Sequence, residues 1–229
     1  MNLATLSAIL VTCNVAQSKF EPTGSYEKIT VNGFKILVSK HARAAKEEYQ
    51  PAMALLKLRL SEIERLVPKE ALSKIQKIPI WIEQSDPKVP CMCYHVDKGW
   101  LTENGLNPDK EKSVELANLK NFVKWSFDQP LMVLHEMAHG YHDLYFGYQE
   151  KSILDAYNAA MKSHLYDEVS YFRSNKRKAY ATTNQMEYFA ELTEALFGYN
   201  DFFPFTRPEL EAHDPTGFKV LKEAWGVKN

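Results

Sequence analysis

The stretch Pro130-Leu-Met-Val-Leu-His135-Glu136-Met-Ala-His139-Gly-Tyr-His-Asp143 decides how the rest of the chain is read. Leu131, Leu134 and Ala138 form an apolar stripe at helical spacing. Pro130 lies near its start, and Ser126 or Asp128 is the expected cap. Met132, Val133, Met137 and Tyr141 carry apolar character onto the other faces, so the helix is expected to be mostly buried. A buried helix that also carries two histidines and a glutamate has polar groups to satisfy.

His135 and His139 are four residues apart and so share a helix face, one turn above the other. Two imidazoles so placed can hold one tetrahedral metal ion. Glu136, offset by one residue, suits a base that reaches a water without itself being a ligand. The pattern is the His-Glu-x-x-His signature of zinc metallopeptidases. The alternative is a core helix whose polar groups bond to neighbours. His142, one turn after His139, does not complete the longer metzincin spacing, so His142 and Asp143 are read as supporting or surface groups.

A catalytic zinc site needs a third protein ligand and an open position. Candidates lie in Tyr180-Ala-Thr-Thr-Asn184-Gln-Met-Glu187-Tyr-Phe-Ala-Glu191-Leu-Thr-Glu194. The three glutamates share a face of an expected second helix, with Thr182, Thr183 or Asn184 as its cap. Spacing alone leaves the ligand between Glu187 and Glu191. It also leaves open that Glu187 closes a capping box with Asn184, or that the glutamates form a solvated face.

The run from Asn184 to Glu191, with Tyr180 ahead of it and His-Glu-x-x-His upstream, resembles the metallopeptidase family of the anthrax lethal factor catalytic domain and the related secreted Pro-Pro endopeptidases. The resemblance covers about residues 130–197. It implies that His135, His139 and Glu187 are the ligands of one Zn2+ per chain and that Glu136 is the general base. It also implies that Tyr180 assists the reaction by donating a hydrogen bond to the developing oxyanion. Glu191, one turn beyond Glu187, is left as either an acceptor that orients a ligand histidine or a structural residue.

Other features set outer bounds. At 229 residues, with 45% hydrophobic content, the chain suits a single domain with an ample core. With 28 basic and 29 acidic residues its net charge is -1, so no global field favours nucleic acid. The one basic cluster, Arg173 to Lys178, reads as a solvated loop, or as a rim of the cleft that attracts acidic substrate residues. The apolar start, Leu3 to Ser18, is too short for a membrane span, and its length and Ala16-Gln17-Ser18 end fit a secretory signal peptide. No Lys or Arg precedes that run, and a first strand or helix of the fold is the alternative. Cys91, Cys93 and His95 would share a face of a strand. They do not match a standard zinc spacing, so buried structural thiols are expected.

Tyr26 to Val38 reads as a hairpin around Asn32-Gly33, and 42–66 as a helix with Pro51 at a start or kink. Ile78 to Ile82, Cys91 to Val96 and Val114 to Leu119 read as strands, Leu106 to Lys110 as a loop, and 150–164 and 184–197 as helices. By analogy with zincins, the strand at Val114 is expected to border the cleft and pair with the substrate backbone.

The expected architecture is therefore α+β and zincin-like: a small mixed sheet over an active-site helix, with a second helix carrying the third ligand. Residues 1–18 are the leader and 19–229 one catalytic domain, sheet-bearing over 19–125 and helical over 126–229. The expected function is a secreted zinc endopeptidase acting on a peptide or protein, with no nucleic-acid partner and no stable membrane insertion. The alternatives are a metal-binding module without turnover, and a zinc hydrolase of a non-peptide amide or ester.

Overall fold

The computed structural model describes residues 20–172 and 174–228, so the expected leader and Arg173 lie outside the described residues. The fold is α+β, built on a five-stranded mixed sheet. Strands β1 (Glu27–Val31) and β2 (Phe34–Val38) form the expected hairpin. Asn32 and Gly33 both take positive φ, 49° and 80°, which this tight turn requires. A short helix α1 (Lys40–Ala44), a long helix α2 (Lys46–Leu66) containing Pro51, and α3 (Lys69–Ile75) then carry the chain across to β3 (Ile80–Ile82). β3 lies parallel to β2.

After β4 (Met92–His95) come helix α4 (Lys98–Glu103), a 3-10 turn over Pro108–Lys110 and β5 (Ser113–Leu116). The sheet order is β1-β2-β3-β5-β4. β5 inserts parallel beside β3, and β4 pairs antiparallel on its far side. This corrects the expectation for Val114: β5 is interior, and β4 is the edge strand on that side of the sheet. Which of two short strands takes the edge is decided by tertiary pairing, not by either strand's own pattern.

Helix α5 (Leu119–Trp125) precedes the helix of the motif, α6 (Met132–Tyr145). Neither expected cap serves α6. Leu131 stands at its N-cap without a side-chain bond, and Ser126 instead ends α5, its hydroxyl donating to the Phe122 carbonyl at 2.7 Å. The reason is that α5 runs up to Trp125 and takes Ser126 as its own C-cap. α6 is buried over most of its surface, as read. Gly140 lets it press onto the sheet: a Cβ there would come within 2.7 Å of Ile78 Cδ1 and 2.9 Å of Tyr94 Cε2.

Then follow α7 (Lys151–Lys162), the small hairpin β6 (Val169–Tyr171) and β7 (Ser174–Arg177), and α8 (Gln185–Phe197). Ser174–Arg177 of the basic segment therefore form a strand rather than a loop, with Arg177 stacked over Tyr171 at 3.6 Å. The tail forms α9 (Arg207–His213) and α10 (Pro215–Trp225), and Trp225 is buried against Tyr141 and Phe189. One continuous apolar core runs from Phe34 to Trp225 and joins both halves of the chain.

The opposite face of the sheet carries buried charge. Glu115 of β5 meets His95 Nε2 and Lys110 Nζ, each at 2.5 Å. Lys110 also reaches Glu83 at 2.7 Å, and Tyr26 donates to Glu83. Cys93 Sγ lies 3.5 Å from His95 Nε2. Cys91 instead packs against Met132 on the helix side, its sulfur 3.4 Å from the thioether, so the two thiols do not share a face. Both are free.

Candidate metal centre

α6 and α8 pack side by side and bring their polar residues together. His139 Nε2 lies 3.2 Å from His135 Nε2, and Glu187 Oε2 lies 3.2 Å from His135 Nε2 and 3.3 Å from His139 Nε2. A tetrahedral ion with bonds of about 2.0–2.1 Å separates its ligand atoms by about 3.3–3.4 Å. The three donors therefore already span one face of such a tetrahedron. The two rings stand edge-on, 80° apart. Two imidazoles and a carboxylate are also a donor set suited to zinc.

Local sequence explains how Glu187 gets there. Asn184 caps α8, its side-chain oxygen accepting from the Met186 and Glu187 amides at 2.9 Å each. Glu187 is thus the third helical residue, but its carboxylate is bound to the histidines instead of closing a capping box. Burial alone would raise its pKa. The bonds to His135 and His139 outweigh that and hold it well below the usual carboxylate range.

Glu194, to which no individual role is assigned from sequence, fixes the other side of His135. Its Nδ1 lies 2.7 Å from Glu194 Oε1, whereas Glu191 Oε1 is 3.9 Å away. Donation from Nδ1 to Glu194 leaves Nε2 free to ligate. Burial pushes the His135 pKa down, but the bonds to Glu187 and Glu194 raise it well above its ordinary value. Glu191 is buried and takes a bond from Asn200 at 3.3 Å; burial and the neighbouring Glu194 charge hold its pKa well up. The glutamates beyond Glu187 are therefore not a solvated face.

Glu136 and Tyr180 border the same cavity of about 440 Å3 as the three donors. Tyr180 starts a 3-10 turn ahead of α8, is half exposed, and its hydroxyl stands 3.5 Å from Glu187 Oε1. Met92, Tyr94 and Val96 of the edge strand and its end form the facing wall. No described residue of the basic segment lines this cavity.

His142 is neither ligand nor surface group. It is fully buried between Tyr148 and Phe189, and neither ring nitrogen has a partner. Burial, aided by His139, pushes its pKa down to about 4. Asp143 accepts from Tyr94 at 2.8 Å and Lys112 at 2.6 Å, tying α6 to the sheet.

No known protein family, curated protein sequence or solved structure matches the chain.

Proposed function

We propose that this protein is a zinc-dependent endopeptidase with a zincin-like catalytic domain. The carrying observation is the triangle of His135, His139 and Glu187 donor atoms, with sides of 3.2–3.3 Å, in a cavity that Glu136 and Tyr180 share. The resemblance of residues 130–197 to the lethal factor family supports the same assignment of roles.

When bound, zinc would polarise the scissile carbonyl and make water available as a nucleophile near neutral pH. Glu136 then accepts the attacking water's proton and delivers it to the leaving amine. The Tyr180 hydroxyl, half exposed beside Glu187, donates to the developing oxyanion. Glu194 holds His135 in the tautomer and orientation that ligation needs. The edge strand β4, rather than the interior strand at Val114, offers an extended substrate backbone its unpaired side. A pure zinc clip would need neither Glu136 nor Tyr180.

Metal content and peptide-library cleavage, measured on wild type beside Glu136→Gln, test this reading. One zinc per chain in both, with cleavage by wild type alone, is the expected result. Zinc in both without cleavage would transfer the site to a binding role or a non-peptide substrate. Absence of stoichiometric metal would remove the reading altogether.

A further inference from the structure

The edge strand has two faces, and a second hollow lies against the one turned away from α6. The Cys91 and His95 carbonyls accept from Ala117 and Lys112 at 2.7 Å each, so the odd-numbered residues of this strand direct their backbone to β5. In an antiparallel ladder the backbone groups of Met92 and Tyr94 then face the open edge. Side chains alternate in the perpendicular sense. Tyr94 lies on Gly140 and bonds Asp143 of α6, while Cys93 and His95 turn to the opposite face.

On that opposite face Val89, Pro90, Cys93, His95, Val96 and Trp100 surround a mainly apolar hollow of about 560 Å3. Met92, Cys93, Tyr94 and Val96 border both this hollow and the metal cleft, so the two spaces meet across a single strand. Val96 and Trp100 are 38% and 45% exposed, large apolar side chains left open on its rim.

We infer that this hollow is a substrate subsite that takes a large apolar side chain of a peptide lying along β4. The inference rests on the endopeptidase reading and adds a specificity to it. A strand added to the open edge keeps the alternation of the strand it joins. Its residues beside Met92 and Tyr94 face α6 and the metal triangle. The residue between them, beside Cys93, faces the hollow, where Trp100 offers an aromatic surface. Recognition thus reads every second side chain on each face, and Trp100 sets the preference on the face away from the metal.

The test is a peptide library randomised around the cut, given to the zinc-loaded wild type and to Trp100→Ala and Trp100→Phe. Large apolar residues should be selected at one position, next to positions with independent preferences. Trp100→Ala should lower kcat/KM for the selected peptides about tenfold, chiefly through KM, and Trp100→Phe should restore it. Zinc content and thermal unfolding should be unchanged in both variants. Cleavage by wild type with the same apolar preference in Trp100→Ala would overturn the subsite and leave the peptidase standing. No cleavage of any library peptide by the zinc-loaded wild type would bring down the peptidase reading and the subsite with it.

Discussion

His135 is held from both sides, by Glu187 at Nε2 and Glu194 at Nδ1. These two carboxylates raise the imidazole pKa well above its ordinary value against the effect of burial, favouring the protonated ring. On the proposed reading zinc would compete with a proton here, so its affinity should fall as pH falls, with proton release on binding. Chelator competition across pH, with proton release followed by calorimetry, measures this. Glu194→Gln should weaken zinc about 10–100-fold, because the anionic acceptor that raises the ligand's basicity is lost. Tyr180→Phe should retain zinc and lower kcat by about 100-fold or more with little change in KM, as removal of one oxyanion donor does. His142 carries the opposite electrostatics. Its folded pKa, about 4, lies below the ordinary histidine value, so below about pH 6.5 the unfolded state binds the extra proton. Stability should then fall with decreasing pH from about 6.5 to 4, by up to about 1.4 kcal/mol per unit. His142→Leu should flatten that part of the Tm-versus-pH curve. His135, Glu136 and His139 were legible because one local motif contains them, and Glu187 because a second short run does. Glu194 was not: whether Glu191 or Glu194 meets His135 depends on how α8 is rotated against α6, which no single segment encodes.

At the scale of elements, the β1–β2 hairpin and α2, α6, α7 and α8 were legible, each long enough for its period or marked by an Asn-Gly turn. Helices of six or seven residues, α3, α4, α5 and α9, have too few turns to show a period. The edge position of β4 follows from strand order, which pattern does not carry. What fixes β4 onto β5 on the far face is the buried set of His95, Glu115 and Lys110. Burial would raise the Glu115 pKa, but the His95 bond and the Lys110 charge prevail and lower it. Its contribution is therefore present above the ordinary carboxylate pKa and is lost as acid protonates it. Glu115→Ala should destabilise the fold by about 3–5 kcal/mol at neutral pH, since Lys110 stays buried with one carboxylate fewer. Urea unfolding followed by tryptophan fluorescence measures it, and the deficit should shrink toward acid pH.

Across the whole molecule, the candidate ligands come from α6 and α8, the facing wall from β4, and the support beneath both helices from α10. Trp225 stacks on Tyr141 of α6, ring centroids 4.3 Å apart, and also lies against Phe189 of α8 at 6.1 Å. Its indole N–H donates to Thr193 at 2.9 Å. Trp225→Ala should cost about 3–5 kcal/mol. It should also weaken zinc, because the cavity opens beneath the two helices whose spacing sets the ligand triangle. Thermal unfolding with and without zinc separates these effects. The close seating of α6 on the sheet at Gly140 has a further consequence. Helix and sheet meet there with no room for a side chain, which seats α6 closely beside β4. A strand edge admits one extended chain, whereas a helix is about 10–12 Å across with its side chains. Under the proposed peptidase reading, a cleft of this kind would cut what is already unwound. Tails, linkers and transiently frayed segments would be its targets, and the rate at which it consumed a folded protein would report how often that protein opens.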